Sequence, residues 1–355
     1  MIRITQQIMR EGRRGPLRHP FRELAKVTDR CPSRTLQRRI ADFGVERSFQ
    51  NTATALKEHY NIEVPVYTID KATGDVARAA KYFNTLAPDS IKPAATLISE
   101  VDGSMLPIVE FREETTDRGH ALTEHPAAKP ADKRKLRQCH WKEIRVSTAR
   151  LPGSVDCYYG VALGEPMEVG CMMWNCCKFK GMHRGTHIHA VADGASWIAN
   201  QYNRQFGARC KFLVDFYHVC EYLAAAASST SMDLVERNHW LEARKESLRA
   251  SDHQAVIAAL KRLVPGPTGE DENHPVGAAL SYLEKRKHQL DYQDAIRRKL
   301  PIGSGEVESA HRHILQKRLK IPGAWWRLER AEEIAQLRAL RANQRWNDFW
   351  QKKCA

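Results

Sequence analysis

A mixed α/β fold is predicted for this 355-residue chain, and three observations predict it. After Pro93 the chain carries apolar runs of strand length and composition. Two of them, "THIHAVADGASWIANQYNRQF" and "CKFLVDFYHVCEYLAAAA", pass from strand to helix at an aspartate. Helical patterns lie on either side of this region. A mixed sheet flanked by helices satisfies all three.

Residues 1–40 are basic and weakly patterned, and "TLQRRIADFG" reads as a short helix ending at Gly44. Phe49, Ala53, Leu56 and Tyr60 then recur at helical spacing, with Ser48 placed to cap that helix. A turn is expected at Asn61–Pro65. A second helix follows, with Val66 and Ile69 inward and Tyr67, Thr68, Asp70 and Lys71 outward. Residues 48–82 thus have the layout of a helix-turn-helix within a helical region over residues 1–90. A plain helical hairpin would carry the same pattern.

"ATLISEVDGSMLPIVEF" is β-rich and has Asp102-Gly103 at its centre. Residues 112–138 are polar and proline-containing, so an exposed loop is expected. "CHWKEIRVSTARL" and "SVDCYYGVAL" supply two more strands. The two strand-to-helix units close the first part of the core, residues 91–227. Residues 228–300 read as an all-helical insertion, interrupted by the loop "VPGPTGEDENHPVG". Residues 301–355 return as helices. The tail "RLERAEEIAQLRALRANQRWNDFWQKK" is expected as one long helix.

The length allows two or three domains, and 42% apolar residues suffice for a core. A formal net charge of +14 favours a polyanionic partner. Residues 1–60 hold thirteen Lys and Arg against six Asp and Glu, and residues 309–353 hold eleven against four, so the excess sits at both ends. No apolar run approaches the roughly 18 residues that span a bilayer, and a cytoplasmic protein is expected. The nine cysteines show no paired CxxC spacing, so reduced thiols are expected. Cys176, Cys177, His183, His187 and His189 are one conceivable metal cluster.

A second set of metal ligands is carboxylate. Asp102 in "EVDGS" and Asp193 in "VADGA" fall in or at the ends of strands, each before a glycine. A hard divalent cation takes carboxylate oxygens together with water and substrate phosphate. Two such ions can clamp the attacking and leaving oxygens of an in-line phosphoryl transfer. "PIGSGEVESAHRHILQKRLK" offers a third acid, Glu306 or Glu308, ahead of a basic run in which Lys317, Arg318 and Lys320 would hold phosphates. With a helix starting near a Ser304 cap, the two glutamates stand about 200° apart and cannot both face one metal pair. Glu306 suits the first turn, where the helix dipole favours negative charge.

These stretches resemble the ISKra-type family of bacterial insertion-sequence DDE transposases. The matching segments are "VDGSM", "VADGASWI", "LVDFYHVCEYL", "PIGSGEVESAHRHILQKRLKIPGAWW" and "LRALRANQRWNDFW", within residues 101–350. The resemblance implies an RNase H-like core with a helical insertion before the third acid. It implies Asp102, Asp193 and Glu308 as catalytic metal ligands for two Mg²⁺ or Mn²⁺ ions. Asp215 and His218 match a supporting D-x-x-H motif, although Asp215 is the alternative second ligand. The partners implied are double-stranded DNA, both the terminal inverted repeats and the target, with a homo-oligomer on the DNA in a nucleoid-associated setting. Tyr67 and Lys71 join the basic run as DNA-contacting residues. Trp325 and Trp326 either pack or stack on bases. His311 and His313 are placed for phosphate contact or proton transfer. A non-catalytic DNA-binding regulator and a nuclease that cuts without joining are the rival readings.

Overall fold

The computed structural model describes residues 8–354 apart from 11, 14, 21–23, 25–31, 87–90, 112–136 and 265–272. The loops expected at 112–138 and in "VPGPTGEDENHPVG" fall mainly outside the described residues. In chain order, β1 (Met9–Arg10) pairs with β2 (Leu17–Arg18), and α1 (Arg34–Gly44), α2 (Phe49–Tyr60) and α3 (Val66–Phe83) follow. Next come β3 (Thr96–Phe111), β4 (Arg137–Arg150), β5 (Cys157–Ala162), α4 (Pro166–Phe179), β6 (His187–Ala192), α5 (Ser196–Phe206), β7 (Cys210–Val214) and α6 (Phe216–Ser228). Helices α7 (Leu234–Arg249), α8 (His253–Lys261), α9 (Pro275–Arg286) and α10 (Tyr292–Arg297) fall within residues 228–300, the stretch expected to be helical. Then α11 (Gly305–Ala310) runs into a π-helical turn over His311–Gln316, and α12 (Leu328–Ala342) and α13 (Trp346–Cys354) close the chain.

The chain divides into two compact units, Ala87–His313 and the residues up to Leu86 with those from Ile314. The expected segment 301–355 is therefore divided. Pro301–His313 stays with the sheet, and the rest joins the N-terminal helices.

The sheet unit is a five-stranded mixed sheet in the order β5-β4-β3-β6-β7. Strands β3, β4 and β5 form an antiparallel meander, while β6 and β7 run parallel to β3. Apolar clusters flank the sheet. One gathers Val101, Met173, Cys177, Ile188 and Tyr202 beneath α4 and α5. The other gathers Val191, Leu213, Phe216, Leu260, Leu283 and Tyr292, which joins the helical insertion to the sheet. Burial of this kind yields roughly 25 cal/mol per Å² of apolar surface and holds both layers.

In the other unit, α1, α2 and α3 enclose Ile40, Leu56, Val64 and Ile69. Ser48 Oγ accepts the Asn51 N–H at 3.1 Å, which caps α2 as expected. Val66 is exposed rather than inward, because it begins α3 before the helix meets its neighbours; Ile69 is fully buried. The tail is two helices, not one. Gln344 adopts φ +57° and the Arg345 N–H returns to Leu340 O at 3.2 Å. The turn lets Trp346, Phe349 and Trp350 bury against Phe83, a gain that exceeds the roughly 1–2 kcal/mol cost of one left-handed residue.

Arg338 ties this unit together. Its guanidinium is buried and donates to Ile314 O at 2.6 Å, Val45 O at 3.0 Å and Glu46 Oε2 at 2.8 Å. Arg338→Met keeps the volume and removes every donor. It is expected to lower the unfolding free energy in urea by about 2–4 kcal/mol, since the partners become orphans. A loss within about 0.5 kcal/mol would show that water replaces them.

Candidate catalytic site and nucleic-acid surface

Two of the expected acids stand at the same level of neighbouring parallel strands. The last β3–β6 pair is Glu100 with Val191. Asp102 lies two residues beyond Glu100 on β3, and Asp193 lies two residues beyond Val191, just past the end of β6. At this point the chain switches from the meander to the parallel side. Asp193 thus sits at the carboxyl end of β6, whereas Asp102 lies within β3, which continues paired with β4 to Phe111. Asp102 is partly exposed. Its Oδ1 accepts the Gly103 N–H at 2.7 Å, and its Oδ2 lies 3.3 Å from His311 Nε2. That ring is buried, and neither of its nitrogens makes a hydrogen bond among the described residues.

The turn carrying Asp193 is gripped from the helical insertion. Tyr282 Oη donates to Asp193 O at 2.6 Å and Arg286 Nε to Gly194 O at 2.7 Å. Gly194 has φ +77°, and a Cβ there would meet Tyr282 Oη at 2.8 Å and Arg286 Nε at 2.9 Å. The glycine is therefore required both for the turn and for the close approach of α9. Asp193 Oδ1 accepts the Ala195 N–H at 2.9 Å.

Asp215 is buried at the end of β7, and both of its oxygens are committed. Oδ1 accepts the N–H groups of Tyr217 and His218 at 2.7 and 3.0 Å and so caps α6. Oδ2 accepts the Ser304 N–H and Oγ–H, each at 2.6 Å. This bonding suits an anchor better than a metal ligand. His218 bonds Glu221 Oε2 through Nδ1 at 3.2 Å and lies edge-on to the Tyr222 and Tyr282 rings. The D-x-x-H pair thereby touches both neighbouring turns. Asp215 reaches the turn before α11, and His218 reaches the tyrosine that holds Asp193.

Ser304 was expected to cap the helix with its own side chain, but that hydroxyl is bound to Asp215. The two glutamates of α11 point to different environments. Glu306 accepts the Tyr159 Oη–H at 3.1 Å. The Glu308 side chain is exposed, with no hydrogen bond or ion pair from its carboxylate among the described residues, and it stands one turn before His311. Uncommitted oxygens of Asp102, Asp193 and Glu308 have the chemistry a hard cation takes. In this conformation no three His, Cys, Asp or Glu side chains among the described residues are gathered tightly enough to hold a metal ion.

The sulfur–histidine cluster is dispersed. Cys176 and Cys177 lie in the apolar core, where burial pushes the Cys177 thiol up to about 12. His187 Nδ1 sits 3.2 Å from Arg209 O, His189 Nε2 2.8 Å from Pro301 O and His313 Nδ1 2.8 Å from Ser309 O. Burial also pulls His189 down from its ordinary value, so it is neutral near pH 7.

Among the expected DNA-contacting residues, Tyr67, Lys71 and Lys317 are exposed and Lys320 is half-buried. Arg318 is a correction. It is buried, donates to Gly44 O at 3.3 Å and lies against the Trp326 and Phe49 rings. Burial, with Arg338 nearby, pulls its guanidinium down to about 10. In this conformation its guanidinium is turned inward, away from solvent. Trp326 is buried, its Nε1–H donating to Leu319 O at 2.9 Å, while Trp325 is 44% exposed. Tyr67 and Trp325 line a cleft of about 860 Å³ together with Ser48, Phe49 and Val66.

No protein-family model matches the chain, and no curated protein matches it. No helix among the described residues is long and apolar enough to cross a membrane.

One acid was not anticipated. Glu100 is fully buried on β3, two residues before Asp102. Burial pushes its carboxyl up to about 7, while the Val307 N–H and Arg150 pull it down. A carboxyl whose folded value lies above its unfolded one favours folding while protonated. That contribution is present below about pH 4.5 and is lost as pH rises through about 7. Urea unfolding across this window should show the wild type losing about 2–3 kcal/mol relative to Glu100→Gln, which cannot ionise. Parallel curves for the two proteins would show that Glu100 ionises freely when folded.

Proposed function

We propose that this chain is a DDE transposase with an RNase H-like core, which cuts and joins the ends of its own insertion sequence. The observation that carries the reading is the common level of Asp102 and Asp193, two residues beyond one strand pair, with α11 packed on β3 and β4. The mixed sheet, the helices between Asp215 and the third acid, and the charge of +14 are what such an enzyme requires.

In this reading Asp102, Asp193 and Glu308 hold two Mg²⁺ or Mn²⁺ ions. When bound, the ions would activate the attacking oxygen and stabilise the leaving one. Water cleaves a phosphodiester and frees a 3′-hydroxyl, which then attacks target DNA. The chain's own part is to orient the acids. Asp215 fixes the turn before α11, and Tyr282 and Arg286 fix the turn at Asp193. His311, buried against Asp102, is placed to carry a proton beside it. The α2–α3 pair, with exposed Tyr67 and Lys71, reads the terminal repeats. Lys317 and Lys320 add phosphate contacts. Two DNA ends must be held at once, so a homo-oligomer assembles on DNA.

Labelled DNA from both flanks of the gene tests this. Wild type should bind one segment of each flank and cut there only with Mg²⁺ or Mn²⁺. Asp102→Asn and Glu308→Gln should bind as wild type and cut nothing. Glu306→Gln should cut, because an amide oxygen still accepts the Tyr159 hydroxyl. Affinity should fall steeply with salt, the slope of log K against log [salt] being about −0.9 per phosphate neutralised. Cleavage kept by Glu308→Gln and lost by Glu306→Gln would reverse the assignment. Binding lost together with cleavage in Asp102→Asn would make that acid structural.

A further inference from the structure

Helix α11 carries the third proposed acid and continues without a break into the π-helical turn at His311–Gln316, yet its start has no side-chain cap of its own. The first N–H groups of a helix need acceptors, and here the acceptor comes from another element. Glu100 Oε2 on β3 accepts the Val307 N–H at 3.0 Å, and the Glu306 N–H is drawn to the same carboxylate.

The remaining surroundings of Glu100 do not account for it. Oε1 lies 3.6 Å from Arg150 Nη2 and has no hydrogen-bond partner among the described residues. Thr148, directly opposite on β4, keeps its own hydroxyl unpaired. A carboxyl in such a place is costly unless its one good bond has a purpose. That bond joins the strand bearing Asp102 to the helix bearing Glu308.

We infer that Glu100 is a positioning residue: by capping α11 from β3 it sets where Glu308 stands relative to Asp102. The claim about Glu308 in catalysis rests on the transposase reading; the anchoring itself does not. Asp215 holds the start of the same segment through Ser304, so the helix is fixed at two points, before and inside its first turn. Glu100 touches neither substrate nor metal in this account and acts only through α11.

The test compares Glu100→Gln, whose amide oxygen can still accept the Val307 N–H, with Glu100→Leu, which cannot. Amide exchange of Val307 and its neighbours is read together with single-turnover cleavage and DNA affinity. Glu100→Gln should keep both Val307 protection and cleavage. Glu100→Leu should speed exchange at Val307 roughly 10-fold, the equivalent of one lost hydrogen bond. It should also slow cleavage roughly 100-fold, as a displacement of about 1 Å does, at unchanged DNA affinity. Val307→Pro removes the donor instead and is tolerated in a first helical turn, so it serves if Glu100→Leu fails to fold. It should slow cleavage as much, at unchanged affinity. Unchanged Val307 exchange in Glu100→Leu, or full cleavage in Val307→Pro, would overturn the inference. If wild type cuts no DNA, the transposase reading falls while the exchange result still decides the anchoring.

Discussion

The Asp215 carboxylate is the interaction on which the edge of the sheet unit near β6 and β7 depends. It is buried at the end of β7 and accepts four bonds, two from the start of α6 and two from Ser304. A buried carboxylate is tolerable only when its lone pairs are filled, and these are. The consequence reaches far along the sequence. Residues 215 and 304 are separated by the whole helical insertion, and this side chain brings its exit back to the sheet. Gly303 is part of the same constraint, since a Cβ there would strike the Tyr217 ring at 2.7 Å.

From that anchor a consistent division of labour follows. Buried groups hold backbone, and half-exposed groups face solvent. Asp215 and Glu100 bind N–H groups of the segment around α11, while Tyr282 and Arg286 bind carbonyls at the Asp193 turn. Asp102, Asp193 and Glu308 lie at or near the surface, with carboxylate oxygens that accept no hydrogen bond among the described residues. The helices α7–α10 are more than a connection in this arrangement. They share an apolar core with β6, β7 and α6, and α9 supplies the grip on Asp193. The same principle organises the other unit, where Arg338 and Arg318 spend buried cations on carbonyl oxygens and aromatic rings.

Much of this was legible in the sequence wherever one period or one cap decided the matter. The two strand-to-helix passages, the Ser48 cap and the helices α7–α10 follow from local patterns. Helix α4 did not, because its buried Val169, Met172, Met173, Cys176 and Cys177 do fall at helical spacing, but apolar Met167, Cys171 and Trp174 on the other face blur the contrast that reveals the period. The break at Gln344 is enforced by distant aromatic burial and has no glycine to announce it. Ser304 looked like a cap by every local rule and was taken by a partner 89 residues away. Arg318 looked like one more cation in a basic run, and only packing shows it turned inward. Glu100 did leave a signal, a carboxylate inside the apolar run "LISEV" on the same strand face as Asp102. Its partner, a backbone N–H in α11, could not be read from side-chain types.

The account's central claim is that one buried carboxylate couples the end of β7 to the turn before α11. A double-mutant cycle measures this directly, with urea unfolding of wild type, Asp215→Ala, Ser304→Ala and the pair. The two side chains share a hydrogen bond, so the combined loss should differ from the sum of the single losses by about 1–3 kcal/mol. Additivity to within about 0.3–0.5 kcal/mol would mean the two residues act independently and would contradict the account.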